Sequence, residues 1–536
     1  MKYSLGLGKT IFNSGICLLP PANYHEAEIV LSERIDRKKN SGAWPELALR
    51  DQDILSRELI GSAQNRDVQT VKQFEDYLDT RYPFRERIQA RGFTPFLEEN
   101  SLTVNHHLAH AYSASLFSPF TECLILVVDG SGSAHPEGYE YLSLYRFDNQ
   151  QFELLDKRCS PFDQNGYSQS IGLFYEGISE FIFNSKTLAG KVMGLAPLGK
   201  SLGKVSSYPE FLKNLDQTKK FNGKSKQDWE SSPHLDFYKE LAATVQEAFE
   251  DYLFEYVSDI AVRYPQSNLI LAGGCALNCT FNGKLWKSKL FKNIYIPPNP
   301  GDEGISLGCA WSLIKDKVTW SPLPWNRQTS ARGAKRQCEL KDIQRVFSGY
   351  KIKELNLDEV ADLVNENECI AWFQGRSEVG PRALGQRSIL AKPRRGVKAF
   401  LNAKVKFRES FRPYGCTLPQ DEVANYFEVD KTFENPFMSF AIPVKPEYFH
   451  DLEDVCHIDQ TSRFQTLHRE QNPRYYDLLK LVGKKTGKPI LLNTSLNIMG
   501  EPILETIEDA YRFMENSVIK YLVLNDYLIM KDQIHV

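Results

Sequence analysis

Cys123-Leu124-Ile125-Leu126-Val127-Val128-Asp129-Gly130-Ser131-Gly132 runs from unbroken apolar residues straight into a carboxylate and a glycine-rich turn. A short apolar run bounded by a turn predicts a strand buried on both faces, as in the interior of an α/β sheet. Leu269-Ile270-Leu271-Ala272, followed at once by Gly273-Gly274, repeats the pattern. Between them apolar residues recur at helical spacing from Leu235 to Tyr264, through Leu241, Val245, Phe249, Leu253, Tyr256 and Ile260, until Pro265 closes the helix. Strand, long helix and strand predict an α/β architecture. Gly6-Leu7-Gly8 reads as a further glycine-rich turn after a strand. Glycine at a strand end lets backbone N–H groups approach a phosphate or ribose. Three such turns in this order suggest an actin/sugar-kinase-like split domain that closes over a nucleotide.

The chain has 536 residues, 42% hydrophobic and 25% charged, which at roughly 150 residues per domain is a soluble protein of several domains. Its net charge of −3 argues against a general nucleic-acid binder. No apolar run reaches the roughly 18 residues of a membrane helix, and Lys9, Thr10 and Asn13 interrupt the N-terminus against a signal peptide. The 10 cysteines form no CxxC pair, so neither a disulfide scaffold nor a zinc ribbon is indicated. The expectation is a reduced, cytoplasmic protein. Residues 200–234 are lysine-rich, with Lys213, Lys219, Lys220, Lys224 and Lys226, and are expected to form a solvated insertion or lid. Ser321 to Gln337 reads as a linker between domains at 1–325 and 338–536.

Asn105-His106-His107-Leu108-Ala109-His110-Ala111 holds two histidines one helical turn apart. On a helix His106 and His110 share a face, the spacing from which two imidazoles reach one metal. Asp129 ends the strand just downstream, and Asp302 lies in Asn299-Pro300-Gly301-Asp302-Glu303-Gly304, before a helix starting near Ile305. Two His and two Asp form a mixed nitrogen and oxygen set that suits iron, zinc or manganese. Asp302 also suits a helix N-cap, and the two roles are compatible.

Past the linker, Gly375-Arg376-Ser377-Glu378-Val379-Gly380-Pro381-Arg382-Ala383-Leu384-Gly385-Gln386-Arg387-Ser388 sets arginines among glycines. Lys404, Lys406, Arg408 and Arg412 follow among Phe407, Phe411 and Pro413, and Arg463 and Asn493-Thr494-Ser495-Leu496-Asn497 come later. Arginine forks grip phosphate oxygens bidentately, and Ser and Asn complete such sites. With a near-neutral chain, a phosphorylated small molecule fits better than a polynucleotide.

These motifs resemble the O-carbamoyltransferases of antibiotic and nodulation-factor biosynthesis, the tobramycin and NodU type. The resemblance rests on Asn105–Ala111, Val127–Gly130, Gly190-Lys191-Val192-Met193-Gly194-Leu195-Ala196-Pro197, Ala272–Asn278, Gly301–Gly308, Gly380–Leu390, Lys406–Pro413 and Asn493–Pro502. It implies an actin/sugar-kinase-like first domain, similar to the transferase that makes threonylcarbamoyl-adenosine in tRNA, and a smaller YrdC-like second domain. It implies that the second domain forms carbamoyl adenylate from carbamoyl phosphate and ATP, and that the first passes the carbamoyl group to a hydroxyl or amine of a small-molecule acceptor. The implied metal is Fe(II) on His106, His110, Asp129 and Asp302, with Mg2+ as an accompanying ion for ATP. Nucleotide would meet Gly130, Lys191, Gly273, Gly274 and Asn278. Adenylation would fall to Arg382, Lys406, Arg412, Arg463 and Ser495. No nucleic acid or membrane partner is implied.

The chain departs from the family at one place. Where the family carries its His base, followed by Asp, this sequence has Phe12 and Asn13. Phenylalanine accepts no proton, so His25, His107 and His135 become candidate replacements. An acceptor that needs little help, such as a neutral amine, or a homologue that binds nucleotide and assists a partner, are the other ways to read Phe12. A related enzyme that uses the adenylate on a different acceptor, such as a protein or tRNA, is a further alternative.

Overall fold

Two sheets built to one plan make up the first compact unit, Met1–Asn278 with Lys284–Leu323. The structure is a computed structural model that describes residues 2–9, 13–34, 58–65, 101–164, 166–333, 339–498 and 501–531. Strands β1 (Lys2–Lys9), β2 (Asn13–Leu19), β3 (Glu28–Arg34), β4 (Glu58–Asn65) and β5 (Ser101–Thr103) lie in the order β3-β2-β1-β4-β5. Here β2 is antiparallel to both its neighbours, while β1, β4 and β5 run parallel.

The second sheet holds β6 (Glu122–Val128), β7 (Ala134–His135), β8 (Gly138–Asp148), β9 (Gln151–Ser160), β10 (Asn268–Ala272) and β11 (Asn293–Tyr295). With β9 paired to β8, its five longer-range strands read β9-β8-β6-β10-β11, and only β8 opposes the rest. The same five-strand topology therefore occurs twice, the duplicated plan of the actin/sugar-kinase-like architecture. The apolar run read from the sequence is β6, whose residues Cys123–Val128 are all buried. The long helix spans Leu235–Arg263, and each of its periodic apolar residues is buried.

Four helices of this unit matter below: α1 (His106–Leu116), α2 (Ile171–Phe183), α3 (Leu235–Arg263) and α4 (Ile305–Ser312). Gly6-Leu7-Gly8 is not a turn but the middle of β1. A Cβ on Gly6 would stand 1.9 Å from the Ser306 carbonyl oxygen. The glycine thus lets α4 press against the strand, a packing role that local sequence does not distinguish from a turn.

Residues 200–234 are more than a solvated insertion. Trp229 is buried, stacks on Phe183 at 5.3 Å and donates its Nε1 to the Ile182 carbonyl at 3.1 Å. Tyr208 stacks on Phe174 at 4.6 Å. Aromatic residues scattered among the lysines supply an apolar face for α2, which outweighs the polar composition.

The second unit comprises Cys279–Gly283 and Pro324–Val536. Its large sheet joins β12 (Lys351–Glu354), β13 (Ile370–Phe373), β14 (Arg387–Ala391), β15 (Gly415–Pro419), β18 (Phe464–Leu467), β19 (Leu491–Ser495), β20 (Tyr521–Leu524) and β21 (Tyr527–Met530). The order is β12-β21-β20-β13-β14-β19-β15-β18, and β16 (Ile442–Pro443) pairs separately with β17 (Thr461–Ser462). Helix α6 (Pro473–Thr486) buries Tyr475, Leu478, Leu479 and Val482 in a core with Trp372, Leu390 and Leu491. Helix α5 (Val397–Lys404) leads into the lysine and arginine run. Within the expected linker, Ser330 and Gly333 bond to the backbone of Val379 and Ser377 in this unit, at 2.8 and 3.0 Å. Among the described residues no helix is long and apolar enough to cross a membrane.

Candidate functional site

The first site grows from α1. Asn105 caps the helix, its side-chain oxygen accepting from Leu108 N at 3.0 Å, so that the helix begins at His106. His106 and His110 then fall on one face, their Nε2 atoms 3.1 Å apart. Asp129, at the end of β6, brings its Oδ2 to 3.1 Å from both Nε2 atoms. Asp302 closes the group, its Oδ1 3.5 Å from each. It is the first residue of a 3-10 turn whose N-cap is Gly301, and the helix that follows is capped from Gly304, so Asp302 holds neither N-cap position. Its approach depends on α4 lying close against α1, because a Cβ on Gly308 would sit 2.0 Å from the Ala109 carbonyl oxygen.

One ligand atom from each of the four residues lies within 4.8 Å of the others. Adjacent ligands at roughly 2.1 Å from a metal are about 3 Å apart, so the donor set fits a first-row divalent ion. Burial opposes a charge on His110, but its bonds to Asp129 and Asp302 hold it up at about 10. Burial likewise opposes the Asp129 carboxylate, yet the two histidines hold it well below its usual range. Two further carboxyls crowd the group. Burial, then the Asp129 charge, pushes Glu176 up to about 8. Burial and Asp302 raise Glu303.

A buried glutamate that sequence reading overlooked supports this site. Glu140 on β8 is fully buried. Its Oε1 accepts from Asn105 Nδ2 at 3.0 Å, His107 N at 3.2 Å and Ser133 N at 3.0 Å. Its Oε2 meets His135 Nε2 and Lys157 Nζ, both at 3.2 Å. The carboxylate thus ties the first turn of α1 to the loop after β6, and Ser133 Oγ accepts from His106 N at 3.0 Å. A lone carboxylate inside the alternating run Tyr139-Glu140-Tyr141-Leu142 was the available signal.

The nucleotide candidates are placed as follows. Gly130 and Gly274 both direct backbone N–H groups at Asp129 Oδ1, at 2.8 and 3.2 Å. Gly273 has φ +83°, and a Cβ there would meet the Val128 carbonyl oxygen at 2.2 Å. Asn278 is held by Gln246, Nδ2 to Oε1 at 2.9 Å and Nε2 to Oδ1 at 3.2 Å. Lys191 lies over the Phe183 ring, 5.3 Å from its centroid.

Of the candidate bases, His107 is fully buried with Nδ1 on Ser143 Oγ at 2.8 Å, and burial drives it down to about 3. His135 is engaged by Glu140 and Lys157. His25 packs against Tyr24 and Phe117, with centroids 4.2 and 6.4 Å away. Phe12 lies outside the described residues.

The second site lies at one end of the large sheet of the second unit. Antiparallel pairing sets Ser388 of β14 opposite Ser495 of β19, and Gly415 of β15 opposite Asn493. Parallel pairing sets Cys416 opposite Phe464, so Arg463 precedes β18 at the same end. Lys406 is 3% exposed. Its Nζ donates to Ser495 O and Oγ and to Asn497 O and Oδ1, the last at 2.8 Å. Arg408 donates to Asn402 Oδ1 at 2.9 Å and lies over the Tyr414 ring at 4.0 Å.

Burial, with Arg412 and Arg463 nearby, pulls Arg408 down to about 10. Burial and Arg463 lower Arg412, against the pull of Glu409. Lys406, Ser495, Arg412 and Arg463 are therefore one neighbourhood, joined by Arg408 and Asn497. Arg382 lies in a loop fastened by Glu378, whose Oε1 accepts from Leu384 N at 2.8 Å and Gln386 N at 2.7 Å. A cationic pocket of this kind can bind phosphate groups and stabilise charge that develops on them.

Family models for the carbamoyltransferase N-terminus and C-terminus match residues 89–311 and 361–531. Nodulation protein NolNO of Sinorhizobium fredii is 33% identical over 80% of this chain and 64% of its own length. Nodulation protein NolO of Bradyrhizobium diazoefficiens is 32% identical over 80% of this chain and 79% of its own. An uncharacterized protein of Synechocystis sp. is 32% identical over 80% and 75%. Among solved structures, full-length HypF in a phosphate- and nucleotide-bound form aligns over 60% of this chain and 47% of its own, at 14% identity and a TM-score of 0.35. The chain belongs to the carbamoyltransferase family.

Proposed function

We propose that the second unit makes carbamoyl adenylate from carbamoyl phosphate, ATP and one water, the water freeing phosphate to leave carbamate and the carbamate oxygen then displacing pyrophosphate from ATP, and that the first unit passes the carbamoyl group to a small-molecule hydroxyl or amine. Family membership supports the carbamoyl chemistry. The observation that carries the adenylation step is the neighbourhood of Lys406, Arg408, Arg412 and Arg463 around Ser495, in which burial and then neighbouring guanidinium groups lower Arg408 and Arg412. Carbamoyl phosphate and a triphosphate bring together negative charges that this cluster compensates, so reaction is favoured where water alone leaves the anions apart. Arg382, on its fastened loop, is proposed to reach the same anions.

In the first unit, His106, His110, Asp129 and Asp302 would hold the metal, and iron is the ion that the family resemblance favours. Bound there, a divalent ion supplies a Lewis acid for the carbamoyl oxygen. The chain's own part is to hold the four donors in place through Glu140 and to present the backbone N–H groups of Gly130 and Gly274 beside them. A second reading, a homologue that binds nucleotide and assists a partner, draws on Phe12 at the base position.

The deciding experiment is pyrophosphate release from ATP by the purified full chain, with and without carbamoyl phosphate. Release that requires carbamoyl phosphate is the expected result. Its absence overturns the adenylation reading and favours the second.

A further inference from the structure

Phe407 has φ +46° and is 48% exposed. The left-handed region is costly for a bulky side chain and is the usual place of glycine. The strain has a local cause. Lys406 N bonds to Leu401 O at 2.7 Å and Arg408 N bonds to Asn402 O at 3.2 Å, so the chain closes the end of α5 by a loop from Asn402 to Arg408 that contains Phe407. Glycine is the residue that closure prefers. Its neighbours explain why the loop is kept. The turn sends Lys406 to Ser495 and Asn497, and Arg408 to Asn402 and Tyr414. None of this requires an aromatic ring at 407. The ring is about half exposed, so packing offsets at most part of the strain.

We propose that Phe407 is the stacking platform for the purine base of the nucleotide whose phosphates meet the adjacent cations. This rests on the adenylation reading and adds to it a residue for the base. An exposed aromatic between two fixed cations offers a π-face where a nucleotide has its base and positive charge where it has its phosphates. Backbone strain kept at a half-exposed side chain is characteristic of positions that act on a ligand.

The test compares the full chain with Phe407→Gly and Phe407→Trp. Glycine suits the left-handed position, so Phe407→Gly is expected to melt no lower than a few degrees below wild type. Its KM for ATP is expected to rise about 10-fold or more, the usual loss when a stacked base loses its aromatic partner. Its kcat and KM for carbamoyl phosphate are expected to stay within about 2-fold, and so is inhibition by inorganic pyrophosphate, which has no base. Phe407→Trp is expected to restore the KM for ATP. An unchanged KM for ATP in Phe407→Gly overturns the inference, and so does an equal loss of pyrophosphate affinity. If wild type releases no pyrophosphate, the adenylation reading fails and photolabelling with 2-azido-ATP decides the matter by itself. Label on the peptide containing Phe407, chased by ATP, upholds the base site, and label confined to other peptides removes it.

Discussion

In the first unit Asp129 and Asp302 face two histidines, with Glu176 and Glu303 crowded behind them; in the second, Lys406, Arg408, Arg412 and Arg463 share one neighbourhood with Glu409. The consequences have opposite sign. Burial and neighbouring carboxylates raise Glu176 and Glu303 in the first region. Burial and neighbouring guanidinium groups lower Arg408 and Arg412 in the second. A folded chain holds like charges together only where the remaining fold outweighs their repulsion, and a ligand of opposite charge relieves it. The first region is matched to a cation and the second to anions. The two proposed half-reactions thus fall to regions of opposite electrostatic demand, and each can be broken without the other.

The largest separation is expected from Phe12→His. General-base assistance is worth about 10²–10⁴-fold, so carbamoyl transfer to a hydroxyl acceptor is expected to rise by that order, with pyrophosphate release unchanged. Equal transfer by wild type and variant would show that position 12 is not where the proton goes.

Lys406→Ala is the converse change. Removing a buried cation with four oxygen contacts is expected to slow pyrophosphate release about 10²–10³-fold. Metal content is expected to be unaffected. A variant that releases pyrophosphate at the wild-type rate would take Lys406 out of the anion site.

His110→Ala addresses the cation side. Elemental analysis of the purified protein is expected to show near-stoichiometric metal in wild type and a loss of roughly 10-fold or more in the variant, since one of four donors is gone. Equal content in both proteins would move the metal elsewhere.

The smallest effect is expected at Glu140, a carboxylate that organises the first region without joining its donor set. Burial opposes its charge, but His107, Lys157 and backbone N–H groups hold it at about 2 against an ordinary 4.5. A depressed carboxylate stabilises the fold above its unfolded pKa, and that contribution disappears as pH falls from about 4.5 toward 2. Glu140→Gln is expected to lower stability by a few kcal/mol near neutrality and to flatten the decline of the unfolding midpoint between pH 5 and 3. Parallel wild-type and variant pH profiles would contradict this account.

Much of the fold was legible because it is written in local patterns. β6 and β10 follow from apolar runs ending in turns, and α3 follows from residues spaced for one helical face. The His106 and His110 pair was legible for the same reason, since a helix of any surroundings brings i and i+4 together. Gly6-Leu7-Gly8 was not, because a glycine in a turn and a glycine under a crossing helix look alike until the helix is in place. Glu140 went unread as a hub because its partners come from three separate segments.

The sequence by itself determined the α/β class, the carbamoyltransferase resemblance and the inventory of donors and cations, since these depend on residue type and short-range spacing. Only the tertiary structure decided which of them meet. Asp302 reaches the histidines because Gly308 lets α4 lie against α1. Lys406 reaches Ser495 because the pairing of β19 between β14 and β15 brings that strand's end beneath it. Such meetings depend on contacts between residues far apart in the chain, whose free energy resides in packing that no local window of sequence contains.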